Sequence, residues 1–204
     1  MAEAFYEHAR QAAAESDLPV LEVTDAQQRG DSFGARLANA VADAFAAGYD
    51  RVIAVGNDCP TLHEVAWETV ADRLGEGIPV LGPTTDRDGT YLIGITRSQF
   101  DQQAFAALPW KTPELFAALR SHLAESAGTA PSLLDPRDDV NSPGELRRLL
   151  RRPPSPSSVL VARLRHVLGD ASRAARPRRR RSTRPALTRR SRAPPASLRS
   201  TRVG

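Results

Sequence analysis

The chain has 204 residues, with 28 Lys and Arg against 24 Asp and Glu, a formal net charge of +4, and only 5% aromatic residues. That balance conceals two compositions: residues 171–204 hold 12 Arg and no acid, whereas residues 1–170 carry 16 basic against 24 acidic side chains. A single cysteine, Cys59, excludes an intrachain disulfide, and no apolar run reaches the roughly 20 residues of a membrane helix, so a soluble, cytoplasmic protein with an aliphatic core is expected.

The first residues, Met1-Ala2-Glu3-Ala4-Phe5, have neither the basic nor the apolar region of a secretory leader. The spacing of Ala4, Phe5, His8, Ala9 and Ala12 predicts a helix over residues 3–15. Leu18 to Thr24 alternates like a strand, and a polar loop follows to Asp31. Phe33, Leu37, Val41 and Phe45 recur every fourth residue, which predicts a helix from Ser32 to about Ala47, stopped by Gly48. Arg51 to Val55 reads as a buried strand that ends at Gly56 and exposes Asp58 before Pro60 breaks the chain.

Thr61 and Glu64 have the spacing of a capping box, so a helix is expected from Thr61 to about Leu74. Ile78 to Leu81 and Thr90 to Thr96 read as strands flanking a loop dense in turn residues, Gly82 to Gly89. A short helix is expected over 99–107, then a turn at Pro109-Trp110. Another helix is expected from Thr112 to about Ser126, with Gly128 as its C-cap. A short strand over 132–135, a polar loop over 138–141 and a second capping box, Ser142 with Glu145, lead into a helix to about Arg151. After a Pro-rich break, Val159 to Leu168 patterns as an amphipathic helix, and residues 170–204 have too little apolar content to fold.

The organisation expected is therefore an α/β domain over 1–152, a break and helix over 153–169, and an Arg-rich tail over 170–204. Strands alternating with helices through residues 18–96 argue for a mostly parallel sheet with crossover helices.

In such sheets ligands sit beyond the carboxyl ends of the strands, where Asp58 falls. Asp86 and Asp88 follow a second strand, and neighbouring parallel strands would bring both loops to one edge. Carboxylates from two loops make a hard-oxygen site suited to Mg²⁺ or Mn²⁺. The competing reading, that such acids merely satisfy loop amides, stays open. Cys59 reads as a small buried residue, and none of the four histidines has a zinc-like spacing partner.

Four segments in order carry a resemblance: Gly56-Asn57-Asp58-Cys59-Pro60-Thr61-Leu62, Leu81-Gly82-Pro83, Tyr91-Leu92-Ile93-Gly94-Ile95, and Leu108-Pro109-Trp110-Lys111-Thr112. Over residues 1–150 the chain resembles a bacterial family of glycosyltransferases with the GT-A, nucleotide-diphospho-sugar transferase fold. That family is also described as radical-SAM/selenodomain-associated transferases or as a domain of unknown function. The Asp58 turn also resembles the metal-binding turn of molybdenum-cofactor guanylyltransferases.

The resemblance implies that Asp58, with Asp88, holds a divalent metal, and that Asp86 or Asp88 does the catalytic work. It implies that Asn57, Asp58, Gly82, Trp110 and Lys111 contact a nucleotide-sugar donor. Trp110 would stack on a sugar or base and Lys111 would meet a phosphate; the plainer readings are a core-edge Trp and a solvated Lys. The Asp86–Thr90 segment has one Gly where the family usually has two. The family also opens with an apolar strand and a basic Gly/Pro loop, whereas this chain begins in what reads as the following helix. A raw sheet edge, with self-association through it, is the expected consequence.

The function expected is metal-dependent glycosyl transfer from a nucleotide-diphospho-sugar to an unnamed acceptor. A nucleotidyltransferase-like enzyme stays open, as does an inactive, truncated GT-A protein whose tail binds nucleic acid or other polyanions without specificity.

Overall fold

The computed structural model describes residues 2–86, 88–151, 160–161 and 164–165. The tail expected to bind polyanions lies outside these residues, as does most of the helix expected over 159–168. Among the described residues, four strands form one sheet: β1 (Arg51–Val55), β2 (Val80–Pro83), β3 (Thr90–Thr96) and β4 (Ser132–Leu133), in the order β1-β3-β2-β4. Among the described residues, six α-helices with both ends defined accompany them: α1 (Ala2–Ala14), α2 (Phe33–Ala46), α3 (Trp67–Gly75), α4 (Gln102–Ala106), α5 (Leu115–Ala127) and α6 (Pro143–Arg151).

The sheet is mixed, which corrects the expectation of a mostly parallel one. β3 runs antiparallel to both β1 and β2, and β4 is parallel to β2. The cause is the length of the connection after β2. Residues 84–89 cannot hold a crossover helix, so β2 and β3 must close as a hairpin. The crossover through α3 does return β2 parallel in direction to β1, but with β3 inserted between them. Both therefore end at the same edge: Val55 and Gly82 each lie opposite Leu92.

Helices cover both faces. Val52, Leu81, Ile93 and Ile95 face α2, α4 and α5 in a cluster with Ala38, Val41, Phe45, Phe105, Phe116, Leu119 and Leu123. Ile53, Val55, Val80 and Leu92 face α1 and α3 in a second cluster with Ala9, Ala12, Leu62, Val70 and Leu74. Alternate residues of β1 and β2 divide between the two, as the pleat requires. A third cluster joins α1 to α6: Phe5 packs with Leu146, Leu149, Leu160, Val161 and Leu164.

Three expected elements differ: α5, for one, starts at Leu115 with Glu114 as its N-cap, and not at Thr112, whose hydroxyl donates to Pro109 O. Leu18 to Thr24 forms no strand: residues 18–24 are exposed, and the backbone of residues 19–23 makes no hydrogen bond to another backbone group among the described residues. The helix expected from Thr61 is divided. Leu62–Glu64 is a single 3₁₀ turn, Val65 is extended (φ −71°, ψ 130°), and α3 starts only at Trp67. Neither half of the capping box forms: the Glu64 amide donates to Thr61 O (3.0 Å) and not to the Thr61 side chain, and the Glu64 carboxylate accepts from Arg137 (2.8 Å). The second capping box forms in altered shape: the Glu145 amide donates to Ser142 Oγ (3.2 Å), while the Glu145 carboxylate accepts from the Asn141 amide (2.9 Å).

Candidate functional site

The sheet edge where β1 and β2 end is built from three segments. The first, residues 56–64, carries Asp58. Gly56 is needed because the Asp58 carboxylate folds back over it, with Oδ1 2.7 Å from where a Cβ would stand. Asp58 is part-buried, and burial raises its carboxyl above the ordinary range. Asn57 is exposed, and Cys59 is fully buried with its thiol pushed up by burial.

The second segment is the 84–89 hairpin loop. Asp86 Oδ1 accepts from Thr84 Oγ1 (2.5 Å) and from the Asp88 amide (3.2 Å), and Thr84 Oγ1 accepts from the Gly89 amide (3.0 Å). These bonds fix the Asp86 carboxylate within an Asx turn, while Asp88 contributes its amide and is exposed. Gly82, just before the loop, is filled over by the Tyr91 ring: a Cβ there would stand 2.5 Å from Cζ.

The third segment, residues 134–140, runs from β4 alongside the end of β2. Thr84 and Arg137 form a parallel bridge, Arg137 N donates to Pro83 O (3.1 Å), and Thr85 N donates to Arg137 O (2.9 Å). Thr85 Oγ1 donates to Asp138 Oδ1 (2.8 Å). The Val140 amide then donates to the Asp58 carbonyl (3.0 Å), which brings Asp139 next to the first segment.

Asp139 was not among the residues the sequence singled out. Its carboxyl is raised by burial first, then by repulsion from Asp58, with a smaller contribution from Asp86. Asp58 and Asp86 are thus both within electrostatic reach of Asp139. Among the described residues none of the three is in an ion pair. The Asn141 side-chain amide donates to Asp139.

Arg137 ties the segments together. Its guanidinium donates to Thr61 O (2.9 Å), Glu64 Oε2 (2.8 Å) and Glu64 O (2.9 Å), and its side chain is only 13% exposed. It lies 5.8 Å from the Tyr91 ring centre, and the Tyr91 hydroxyl donates to Asp135 O (3.1 Å). Two adjoining hollows open on this edge. One of about 240 Å³ is lined by Pro60, Thr61, Glu64, Thr85, Pro136, Arg137 and Asp138. The other, of about 290 Å³, includes Asp86, Asp138, Asp139, Glu145 and Arg148 in its walls.

Trp110 and Lys111 belong to other packing. The Trp110 indole donates to Phe105 O (2.9 Å) and contacts Gly34 so closely that a Cβ there would stand 2.3 Å from the ring. Lys111 adopts the left-handed region (φ 65°) with Nζ 5.2 Å from the centre of the Phe33 ring.

Asp58 and Asp86 offer hard oxygen donors without bound cations, and Asp139 adds a third carboxylate of the same chemistry. Singly or in pairs they match the chemistry of a Mg²⁺-like ion, which takes one or two carboxylates and fills its shell with water and phosphate oxygens. No group of three or more His, Cys, Asp and Glu side chains forms a metal cage among the described residues.

The family described as "Uncharacterized protein conserved in bacteria (DUF2064)" matches residues 2–112. A solved structure from Desulfovibrio desulfuricans G20, described as a "putative nucleotide-diphospho-sugar transferase", is similar with a TM-score of 0.60. It is 23% identical, with 82% of each chain covered. No curated protein matches the chain. The structural likeness establishes a shared fold: an α/β sheet flanked by helices, as in that protein.

Proposed function

The chain belongs to this family of bacterial proteins, and on that premise we propose that it is a glycosyltransferase that uses a nucleotide-diphospho-sugar at the carboxylate edge of its sheet. The observation that carries the reading is the convergence of the segments that carry Asp58, Asp86 and Asp139, through the Val140 amide bond to Asp58 O and the Thr84–Arg137 bridge, with no cation paired to the three carboxylates among the described residues. The resemblance read from the sequence and the fold shared with the Desulfovibrio protein support it.

In this reading Asp58 and Asp139 hold a divalent metal, and Asp86 stands beside them. The assignment moves the second metal carboxylate from Asp88 to Asp139, because the Val140 amide bond to Asp58 O brings Asp139 beside the Asp58 segment and both acids are part-buried, whereas Asp86 and Asp88 are exposed. A bound Mg²⁺ or Mn²⁺ supplies charge that offsets the leaving diphosphate. Asp58 and Asp139 orient that charge from a partly desolvated position, where electrostatic interactions are stronger than in water. Asp86, fixed by Thr84 and the Asp88 amide, is assigned the acceptance of a proton from the acceptor hydroxyl. Trp110 and Lys111 are left out of the donor site, since their contacts are with Phe105, Gly34 and Phe33.

The test is a thermal-shift panel of nucleotide-sugars and nucleoside triphosphates, with and without Mg²⁺ or Mn²⁺. A ligand at a hundred times its Kd adds about 2.7 kcal/mol to the folded state. A metal-dependent shift with one nucleotide-sugar is expected. A shift with triphosphates alone would point to nucleotidyl transfer, and no shift from a folded sample would refute enzymatic use of this edge.

A further inference from the structure

The carboxylates of this edge come from three segments far apart in sequence, and none of them is held by an ion pair among the described residues. Something else must fix their separation, because like charges brought together in a partly buried place repel. The contacts converge on one side chain. The backbone of Arg137 is bonded on both sides to the end of β2, through Pro83 O and the Thr85 amide, next to the loop of Asp86. Its guanidinium spans to Thr61 O, Glu64 O and Glu64 Oε2, the turn that follows Asp58. Two residues on is Asp139, and the next amide closes the triangle on Asp58 O.

Resting on the reading above, we infer that Arg137 is a positioning residue of the carboxylate edge: a strut that sets the spacing of the Asp58, Asp86 and Asp139 segments without itself touching substrate. Its two terminal nitrogens are committed to three protein acceptors, while Nε is buried without a partner, so the charged end of the fork is held by the protein. The three acceptors lie on two different residues, an arrangement that suits a planar fork with fixed donor directions. Lysine would keep the charge at this place but is a single point on a flexible stem. It could replace one of the contacts and not the set.

The same strut accounts for the divided helix after β1. The Thr61 and Glu64 carbonyls and the Glu64 carboxylate all point to Arg137, so Glu64 is not available to close a capping box on Thr61. A local helix start gives way to a contact that joins distant segments. Sites held to sub-ångström tolerance need such supporting contacts behind the reacting groups.

The test uses the full chain with Arg137→Lys, read in two ways. Amide exchange should be at least tenfold faster at Val140 and Thr85, whose bonds brace the two loops, while the β3 amides of Ile93 and Ile95 keep their protection. Mn²⁺ affinity, followed by the electron paramagnetic resonance of the free ion, should fall at least tenfold in the same folded variant. Glu64→Ala removes one of the three acceptors and should give a smaller, severalfold change in both. It also decides the matter if Arg137→Lys does not fold. Parental exchange at Val140 and Thr85, or parental Mn²⁺ affinity, in a variant with intact β3 protection would overturn the inference. A parent that binds no Mn²⁺ would remove the metal reading instead, and amide exchange alone would then decide the strut.

Discussion

The strand β1 belongs to two regions that have been treated differently. Its carboxyl end is braced: Val140 bonds to Asp58 O, Arg137 reaches Thr61 and Glu64, and Gly56 N bonds to Tyr91 O across to β3 (3.0 Å). Its outer edge pairs with no strand among the described residues, and Val52 to Val55 are only part-buried where β2 is buried throughout. The apolar stretch 18–23 shares that condition, with Leu18, Val20, Leu21 and Val23 between 38% and 53% exposed. The difference teaches that strand-like sequence becomes a strand only where a neighbour completes the ladder. β-propensity measures fit to a pleated, half-buried surface and not an intrinsic backbone choice.

The sharpest contrast is in stability. Leu92 is fully buried in β3 at the point where β1 and β2 both meet it. Leu92→Ala should cost ~2–5 kcal/mol in urea unfolding, whereas Leu21→Ala, at a residue 53% exposed, should stay within about 0.5 kcal/mol. Equal costs would mean that residues 18–23 are buried in solution. Next in size is Gly82→Ala. The new methyl would meet the Tyr91 ring at 2.5 Å, and overpacking of this kind costs ~1–3 kcal/mol; a neutral result would show that the ring can move aside.

The carboxylate edge also has a pH signature. Asp58 and Asp139 have folded pKa values above their unfolded ones, Asp58 by burial and Asp139 by burial and repulsion. The fold then binds more protons than the unfolded chain, so stability falls as pH rises from the unfolded value of about 3.9 through the raised folded value. Asp139→Asn removes the share of that loss that comes from Asp139. Its melting temperature relative to the parent should therefore be more favourable at pH 7 than at pH 3.5. A difference independent of pH would separate Asp139 from Asp58.

The smallest effect concerns single amides. Because Gly56 N bonds to Tyr91 O, the alternation of an antiparallel ladder turns the Ala54 and Val52 amides toward β3 and the Ile53 and Val55 amides toward the open edge. Exchange at Ile53 and Val55 should exceed that at Val52 and Ala54 by about tenfold or more. Uniform protection along β1 would reveal a partner on its outer edge.

Much of the fold was legible. β1 and β3 fall at their expected bounds, Ser32 caps α2 by accepting from the Ala35 amide, and Gly128 ends α5 with φ 67°. Asp58 and the 84–89 loop do share an edge, although the parallel-neighbour argument gave the wrong sheet: it ignored that six residues between β2 and β3 are too few for a crossover. Asp139 and Arg137 were hidden because their proximity to Asp58 comes from β4 and the Thr84–Arg137 bridge, contacts that span some 50 residues or more and leave no local pattern. One signal was present. Asp139 stands between a short apolar segment and a capped helix, the same strand–acid–helix order that singled out Asp58, and that repetition could have named it.

The most direct measurement is anomalous scattering from a crystal soaked in Mn²⁺ and a nucleotide-diphospho-sugar that shifts the melt. The account predicts one strong Mn²⁺ peak within ligand distance of Asp58 and Asp139, with diphosphate oxygens completing its shell. A peak elsewhere, or a nucleotide bound away from this edge, would contradict it.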